Sequence, residues 1–585
     1  MSEIQLADEF VYTVNNVDTT IHLMLTAAGV SLRDGKGTHS YRLKYIHLSD
    51  VIGAKVHYGA KDSVYLLIHY FPLIKNRFNG KVQRCKKQVI LCANQHETTG
   101  GNVKQCIKWK KAISRLINGY EEKPDGTQKT KKRTFLAFVN PKGGKGIAKK
   151  MWLNTVKPML DVAEITSEVV YTEYSGHARD YVQDCKDIYK YSAIMTVSGD
   201  GIVFEVFNGL MKRDDSTEAI KLPLAIIPGG SGNGLCAAIL HQSGVPLTLM
   251  DAVYVAIRGS STPLDMVRVE QGENVMWSFL SIAWGFLSAV DIESEKMRWM
   301  GEARFTVEAV KKLVSFPVKS GKVWFAPLTE ELDDGSEPTV ASPKSLPRNK
   351  QISKDPIIEP TSSESLNDVG GGSTASEEEN GIGEVLDPNF DFTALNDVDT
   401  DTDEDSQDID SKIPDRNRIV SDTAHLQDSE NCRCKKCVPA PTPDPELLQK
   451  ITESIEQIGL NSDIPESWKL IDGNFSTVMA FTLTHLSLGF KCAENMKLDS
   501  GFVYLMHSQG RSKKDFLQLL VQNCTPESNE TRTIHFEKVR AFRLEPELSE
   551  SGAYVTIDGE LVPYEALHAC IHKGIARVLS LPSAV

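Results

Sequence analysis

No run of the chain approaches the ~20 consecutive apolar residues that a membrane-crossing helix requires. The best stretch, residues 275–290, is broken by Ser, Trp and Gly. The opening MSEIQLADEF lacks the basic start and apolar run of a signal peptide. The 11 cysteines show no regular spacing of a disulfide framework. Together these absences lead us to expect a reducing, cytoplasmic setting, from which any membrane would be met only by reversible visits. Basic excess is missing too. The formal charge is -13, and no basic, aromatic-interleaved surface offers itself to nucleic acid. The acids crowd into one stretch, so whole-chain charge describes no single surface.

The chain has 585 residues and is 41% hydrophobic, enough for two to four domains with substantial cores. Over residues 11–92, short β-rich runs such as IHLML, SVYLLIHYF and KKQVILC alternate with turn clusters, and a helical pattern follows over 103–117 around Trp109. Residues 1–120 therefore read as a β-rich accessory domain, pleckstrin-homology-like or a β-rich unit without lipid specificity. The charged EEKPDGTQKTKKR, 121–133, marks a boundary. Strands TFLAFVN, EITSEVVYT, YSAIMTV and LPLAIIP then alternate with helices, which predicts a parallel α/β sheet over 134–260 with functional loops at the carboxyl ends of its strands. Residues 329–445 turn Ser/Asp/Glu/Pro-rich and lack periodic apolar faces, as a disordered acidic insertion does. On either side, 261–328 and 446–585 carry a helix, LLQKITESIEQIGL, and β-type runs STVMAFTLTHLSL, GFVYLMH and TIHFEKVRAFRL. These predict a mainly β, β-sandwich-like lobe.

Three glycine-rich stretches each end a strand and open a helix. Asn140-Pro141-Lys142-Gly143-Gly144-Lys145-Gly146 aims backbone amides and two ammonium groups at an anion, or is a glycine-rich turn. It is no Walker A loop, since Val139 and Gly146 stand where that motif needs Gly and Ser/Thr. Ser198-Gly199-Asp200-Gly201 places a carboxylate at a helix N-terminus, where it could orient magnesium or take a proton from a hydroxyl. Glu205 lies five residues on, as a partner in that network or an ordinary early-helix acid. Pro228-Gly229-Gly230-Ser231-Gly232-Asn233-Gly234 repeats the geometry and fails the dinucleotide fingerprint.

NPKGGKG, SGDG, VFNGLM and PGGSGNG resemble the nucleotide-binding motifs of the diacylglycerol-kinase catalytic superfamily, whose fold is related to phosphofructokinase and NAD-kinase enzymes. Ser198, where most members carry Gly, together with SIAWGFLSAVDIESEKMRWMGEARF (281–305) and the Asp558-Gly559-Glu560 element, narrows the resemblance to the sphingosine kinases. The resemblance covers about 134–327 and 468–581. It implies transfer of the ATP γ-phosphate, with Mg2+, to the primary hydroxyl of sphingosine or a related sphingoid base. Asp200 would activate that hydroxyl. Asp291 would bind the amino and hydroxyl groups of the substrate, helped by Ser281, and a carboxylate there would separate a cationic base from neutral diacylglycerol. Asn140, Lys142, Thr172, Ser198, Gly201, Glu205, Gly230, Gly559 and Glu560 would line the nucleotide site. Arg298 and Arg304 would hold the phosphates, and Asp558 would reach magnesium through water. Phe286, Phe305, Phe516 and Leu517 are candidates for an apolar lipid tunnel.

Plainer readings stand beside these. Arg298 and Arg304 lie among Glu293, Glu295 and Glu302, where surface ion pairing would account for them, and Asp291 could cap a helix. Lys142 replaces a frequent arginine, keeping charge without the bidentate fork. In the insertion, Cys432, Cys434 and Cys437 form a lipidation site, a zinc half-set or a chance cluster. Thr402 and Asp408 exclude an EF-hand there. Ser342-Pro343 and Thr442-Pro443 are expected targets of regulatory protein kinases.

Overall fold

The computed structural model describes residues 3–14, 17–34, 44–60, 62–75, 77, 80–118, 133–143, 146–300, 303–315, 318–328, 458–510, 513, 526, 534–547 and 553–582. The insertion with its cysteines and proline-directed sites, the 121–132 segment, most of the 447–460 helix, and Phe516 and Leu517 lie outside the described residues.

The N-terminal strands form one antiparallel sheet in the order Lys44–His47, Gly29–Asp34, Val17–Thr26, Ile4–Val14, Lys87–Ala93, Val64–Tyr70, Val51–Tyr58. Alternating burial along Val17–Thr26 and Val64–Tyr70 turns one face inward. Helix Thr99–Asn118 closes that face with Cys106, Trp109 and Ile113 fully buried. Trp109 satisfies its indole by donating to Asp8 Oδ2 at 2.8 Å and meets Phe10 edge-on. This unit shares a core with the rest of the chain through Ile52 and Phe71. Arg84, from the small hairpin Leu73–Lys75/Val82–Arg84, reaches across to Asp251 (Nε to Oδ1, 3.0 Å), both side chains buried. Its guanidinium lies 3.5 Å from the Tyr254 ring centroid.

The expected parallel strands are present, ordered Thr166–Tyr171, Thr134–Val139, Ala193–Ser198, Leu224–Pro228. The near-continuous apolar runs of the last three follow from helices covering both faces. The two catalytic sheets anticipated from sequence are joined into one. Leu567–Ser580 pairs parallel with Leu224–Pro228 and antiparallel with Ser260–Gln271 and Ile534–Pro546, so a single 14-stranded sheet runs through both regions. In the β-rich part, Lys469–Phe481 pairs with Lys319–Pro327 over its first half and with Val503–Gln509 and Ser281–Gly285 over its second. Ile534–Pro546 likewise changes partner at Val539. Strands that switch partners let the sheet turn a corner and enclose a core. The strand expected over STVMAFTLTHLSL stops at Phe481; the remainder turns away to form a cavity wall. Lys319–Pro327 and Lys469–Phe481 are antiparallel neighbours with Phe325 opposite Lys469, so the insertion interrupts a hairpin connection.

Candidate active site

The three glycine-rich stretches meet at the carboxyl ends of the parallel strands. A Cβ on Gly230 would lie 2.3 Å from the Gly199 Cα, and one on Gly199 would lie 2.7 Å from the Gly232 carbonyl oxygen. The SGDG and PGGSGNG loops are thus packed backbone on backbone, a closeness only glycine permits. Asn233 braces the second loop by accepting from Gly230 N (3.2 Å) and donating to Gly230 O (2.9 Å). In the first loop, Asn140 Oδ1 accepts from Lys142 N at 3.0 Å. Glu205 takes part in a hydrogen-bond network rather than standing as an ordinary early-helix acid: its two oxygens accept from Gly176 N (2.8 Å) and Ala178 N (3.1 Å), tying down the segment that follows Thr172.

Asp200 opens helix Asp200–Met211 and faces the N-terminus of Gly234–Gln242, where it accepts from Gly234 N at 2.8 Å and Leu235 N at 3.3 Å. Burial pushes its pKa up to about 7, with Asp558 and Asp291 adding to the rise and the two amides opposing it. Asp558 is also buried and is raised to about 6 by desolvation against four opposing donors. Those donors are Ser278 Oγ, Phe279 N, Leu280 N and Ser281 N, at 2.7–3.0 Å. Asp558 and Gly559 take positive φ (51° and 84°) in the two-residue turn joining Val555–Ile557 to Glu560–Val562. An Asp-Gly pair suits that hairpin geometry. The turn brings Glu560 Oε1 to 3.0 Å from where a Gly201 Cβ would stand.

Asp291 is no helix cap; it lies within Phe286–Ser294, whose spacing puts Leu287, Val290 and Asp291 on one face. Its Oδ1 is 3.6 Å from Arg304 Nη2, a buried guanidinium that also stacks on Phe305 at 4.3 Å. These groups and the glycine loops enclose one cavity of about 730 Å³. Asn140, Lys142, Thr172, Ser198, Asp200, Gly201, Glu205, Gly230, Ser281, Asp291, Arg304, Phe305, Asp558, Gly559 and Glu560 all border it. Phe286 does not: at the first position of the helix it is fully buried in the adjacent apolar cluster. Arg298 lies in the short turn Glu295–Met300.

Sequence reasoning missed Tyr174, Leu287, Val290, Met479, Leu486, Ser487 and Phe490, which also line the cavity. Leu287 and Val290 could have been found from their helical spacing to Asp291. Met479 reaches the wall from the strand that ends at Phe481, while Leu486 and Phe490 had no local signal, since only the turn after Phe481 brings them there.

Residues 134–269 match the diacylglycerol kinase catalytic domain family. The chain is 30% identical over 529 residues to sphingosine kinase 2 of Homo sapiens, covering 82% of this chain and 77% of that protein. It is 42% identical over 195 residues to sphingosine kinase 1 of Arabidopsis thaliana, 33% of this chain and 40% of that one. With sphingosine kinase 1 of Mus musculus the identity is 36% over 228 residues, 38% of this chain and 56% of that one.

Proposed function

The chain belongs to the sphingosine kinase family, a family of lipid kinases, and on that premise we propose that it transfers the γ-phosphate of ATP to the primary hydroxyl of sphingosine or a related sphingoid base. The observation that carries this reading is one cavity holding a buried carboxylate with a pKa near 7, a second carboxylate suited to an ammonium group, and an arginine between subsites.

Asp200 takes the hydroxyl proton as the oxygen attacks. A base whose pKa lies near neutrality is ionised often enough to act and basic enough to accept. The amides of Gly234 and Leu235 fix its carboxylate, so little reorganisation accompanies the transfer. Asp291 receives the ammonium group, which neutral diacylglycerol and ceramide lack. Arg304, Lys142 and the loop amides face the phosphates and offset charge on the transferred group. Transfer is direct and in line, without a phosphoenzyme.

Magnesium fits this donor set as an ion held mainly by phosphates and water. Among the described residues no cluster of three or more His, Cys, Asp or Glu could form a cage, and both Asp558 oxygens already accept hydrogen bonds. Asp558, its oxygens already hydrogen-bonded, would reach the ion through water, with Asp200 and Glu560 beside the glycine loops, and the ion would neutralise phosphate charge.

No helix among the described residues is long and apolar enough to cross a membrane. The seven-strand order and closing helix of the N-terminal unit support a pleckstrin-homology-like reading, consistent with reversible membrane contact by a cytoplasmic enzyme. Phosphate transfer from labelled ATP to sphingosine, diacylglycerol and ceramide in matched micelles tests the proposal. Asp200→Asn should lower kcat by about a hundred- to ten-thousand-fold while ADP binding persists. Preference for diacylglycerol, or indifference to Asp291→Asn, would overturn the substrate assignment.

A further inference from the structure

The phosphates and the lipid headgroup have partners in the cavity, whereas the purine base has been given none. Among the described residues lining the cavity, Phe305 and Phe490 pack against the apolar cluster on the lipid side, and the remaining aromatic, Tyr174, stands beside Thr172 and the glycine loops. Tyr174 is 55% exposed. One face of its ring is covered: it stacks on His177 with centroids 4.8 Å apart and planes 10° from parallel.

The segment beneath it is rigid. His177 Nδ1 accepts from Glu173 N at 3.1 Å, and Glu205 holds the amides of Gly176 and Ala178. Gly176 takes φ 90°, a left-handed turn that folds His177 back under Tyr174. Ile202 and Glu205, one turn apart on helix Asp200–Met211, also line the cavity, and Ile202 adds an aliphatic side chain to its wall.

We propose that Tyr174 is the platform on which the purine base of the nucleotide stacks, with His177 backing the ring from the other side. The inference rests on the ATP-dependent reading above. Stacking on an aromatic face needs no edge hydrogen bonds and grows with the area of the base. A ring already held in place loses little freedom when the base arrives. Tyr174 therefore favours purine over pyrimidine nucleotides and leaves phosphate recognition to the glycine loops.

Calorimetric titration of the full chain with ADP, CDP and inorganic tripolyphosphate tests this on wild type, Tyr174→Ala and Tyr174→Phe. Tyr174→Ala should weaken ADP binding about tenfold, shrink the preference for ADP over CDP, and leave tripolyphosphate affinity unchanged. Tyr174→Phe, which keeps the ring, should match wild type. Undiminished ADP affinity in Tyr174→Ala, or an equal loss for tripolyphosphate, would overturn the stacking role while leaving the kinase reading intact. A wild type that binds neither ADP nor tripolyphosphate would overturn both.

Discussion

The two ends of the cavity are built on different plans. At the nucleotide end the walls are main chain: glycine loops pressed together, a carboxylate clamped by two amides, and a loop tied down by Glu205. At the lipid end the walls are side chains from two helices, a strand and a turn, Leu287 and Val290, Phe305, Met479 and Phe490. Backbone walls offer one fixed ligand shape, whereas aliphatic side chains can shift rotamers and accept related tails. The contrast matches an invariant donor paired with a variable acceptor.

The hardest test of that contrast is Gly230→Ala. Its Cβ would meet the Gly199 backbone, so both loops must move; overpacking of this kind costs about 1–3 kcal/mol. ADP binding should fail together with a lower Tm, and an unaltered nucleotide affinity would break the claim that main-chain contact shapes this end. The next effect is a pH dependence. With Asp200 near 7, activity should climb through neutrality and fall about tenfold for each unit below it. Stability runs the other way. Asp200 and Asp558 hold protons in the native state that the unfolded chain releases near 3.8, so this contribution is complete below that pH and is lost as pH rises toward about 7. Tm measured across that window reads the sign.

At the lipid end, Leu287→Trp should raise KM for long-chain bases several-fold and leave ADP affinity untouched, since the added volume enters only the side-chain wall. A matching loss for ADP would erase the division between the ends. The smallest effect is expected outside both. Replacing residues 329–457 with a short Gly/Ser linker should leave activity in micelles close to wild type, because the flanking strands already pair directly.

The same contrast explains what can be read from the sequence. Strand-loop-helix motifs are local, so Asn140, Ser198, Asp200 and Gly230 stand out from their neighbours in the chain alone. Their glycines look shaped for phosphate, yet those of the second and third loops are needed first for each other. Asp558 is legible as part of a motif, while its four donors, all from 278–281, come from a distant part of the chain. The lipid wall is hardly legible at all. Apolar residues in β-rich stretches look alike whether they face a core or a cavity, as Phe286 and Phe305 demonstrate on neighbouring helices. The continuous sheet is hidden for a related reason, since Leu567–Ser580 pairs with Ser260–Gln271, far away in the chain.

Arg84 carries a consequence for anyone shortening this protein. Cutting ahead of Thr134 would keep every group of the cavity, yet Asp251, which is fully buried, would lose its cation, and the apolar surface under Ile52 and Phe71 would face water. A catalytic fragment cut there should aggregate on expression, and solubility should return when the first 118 residues are supplied on a separate chain.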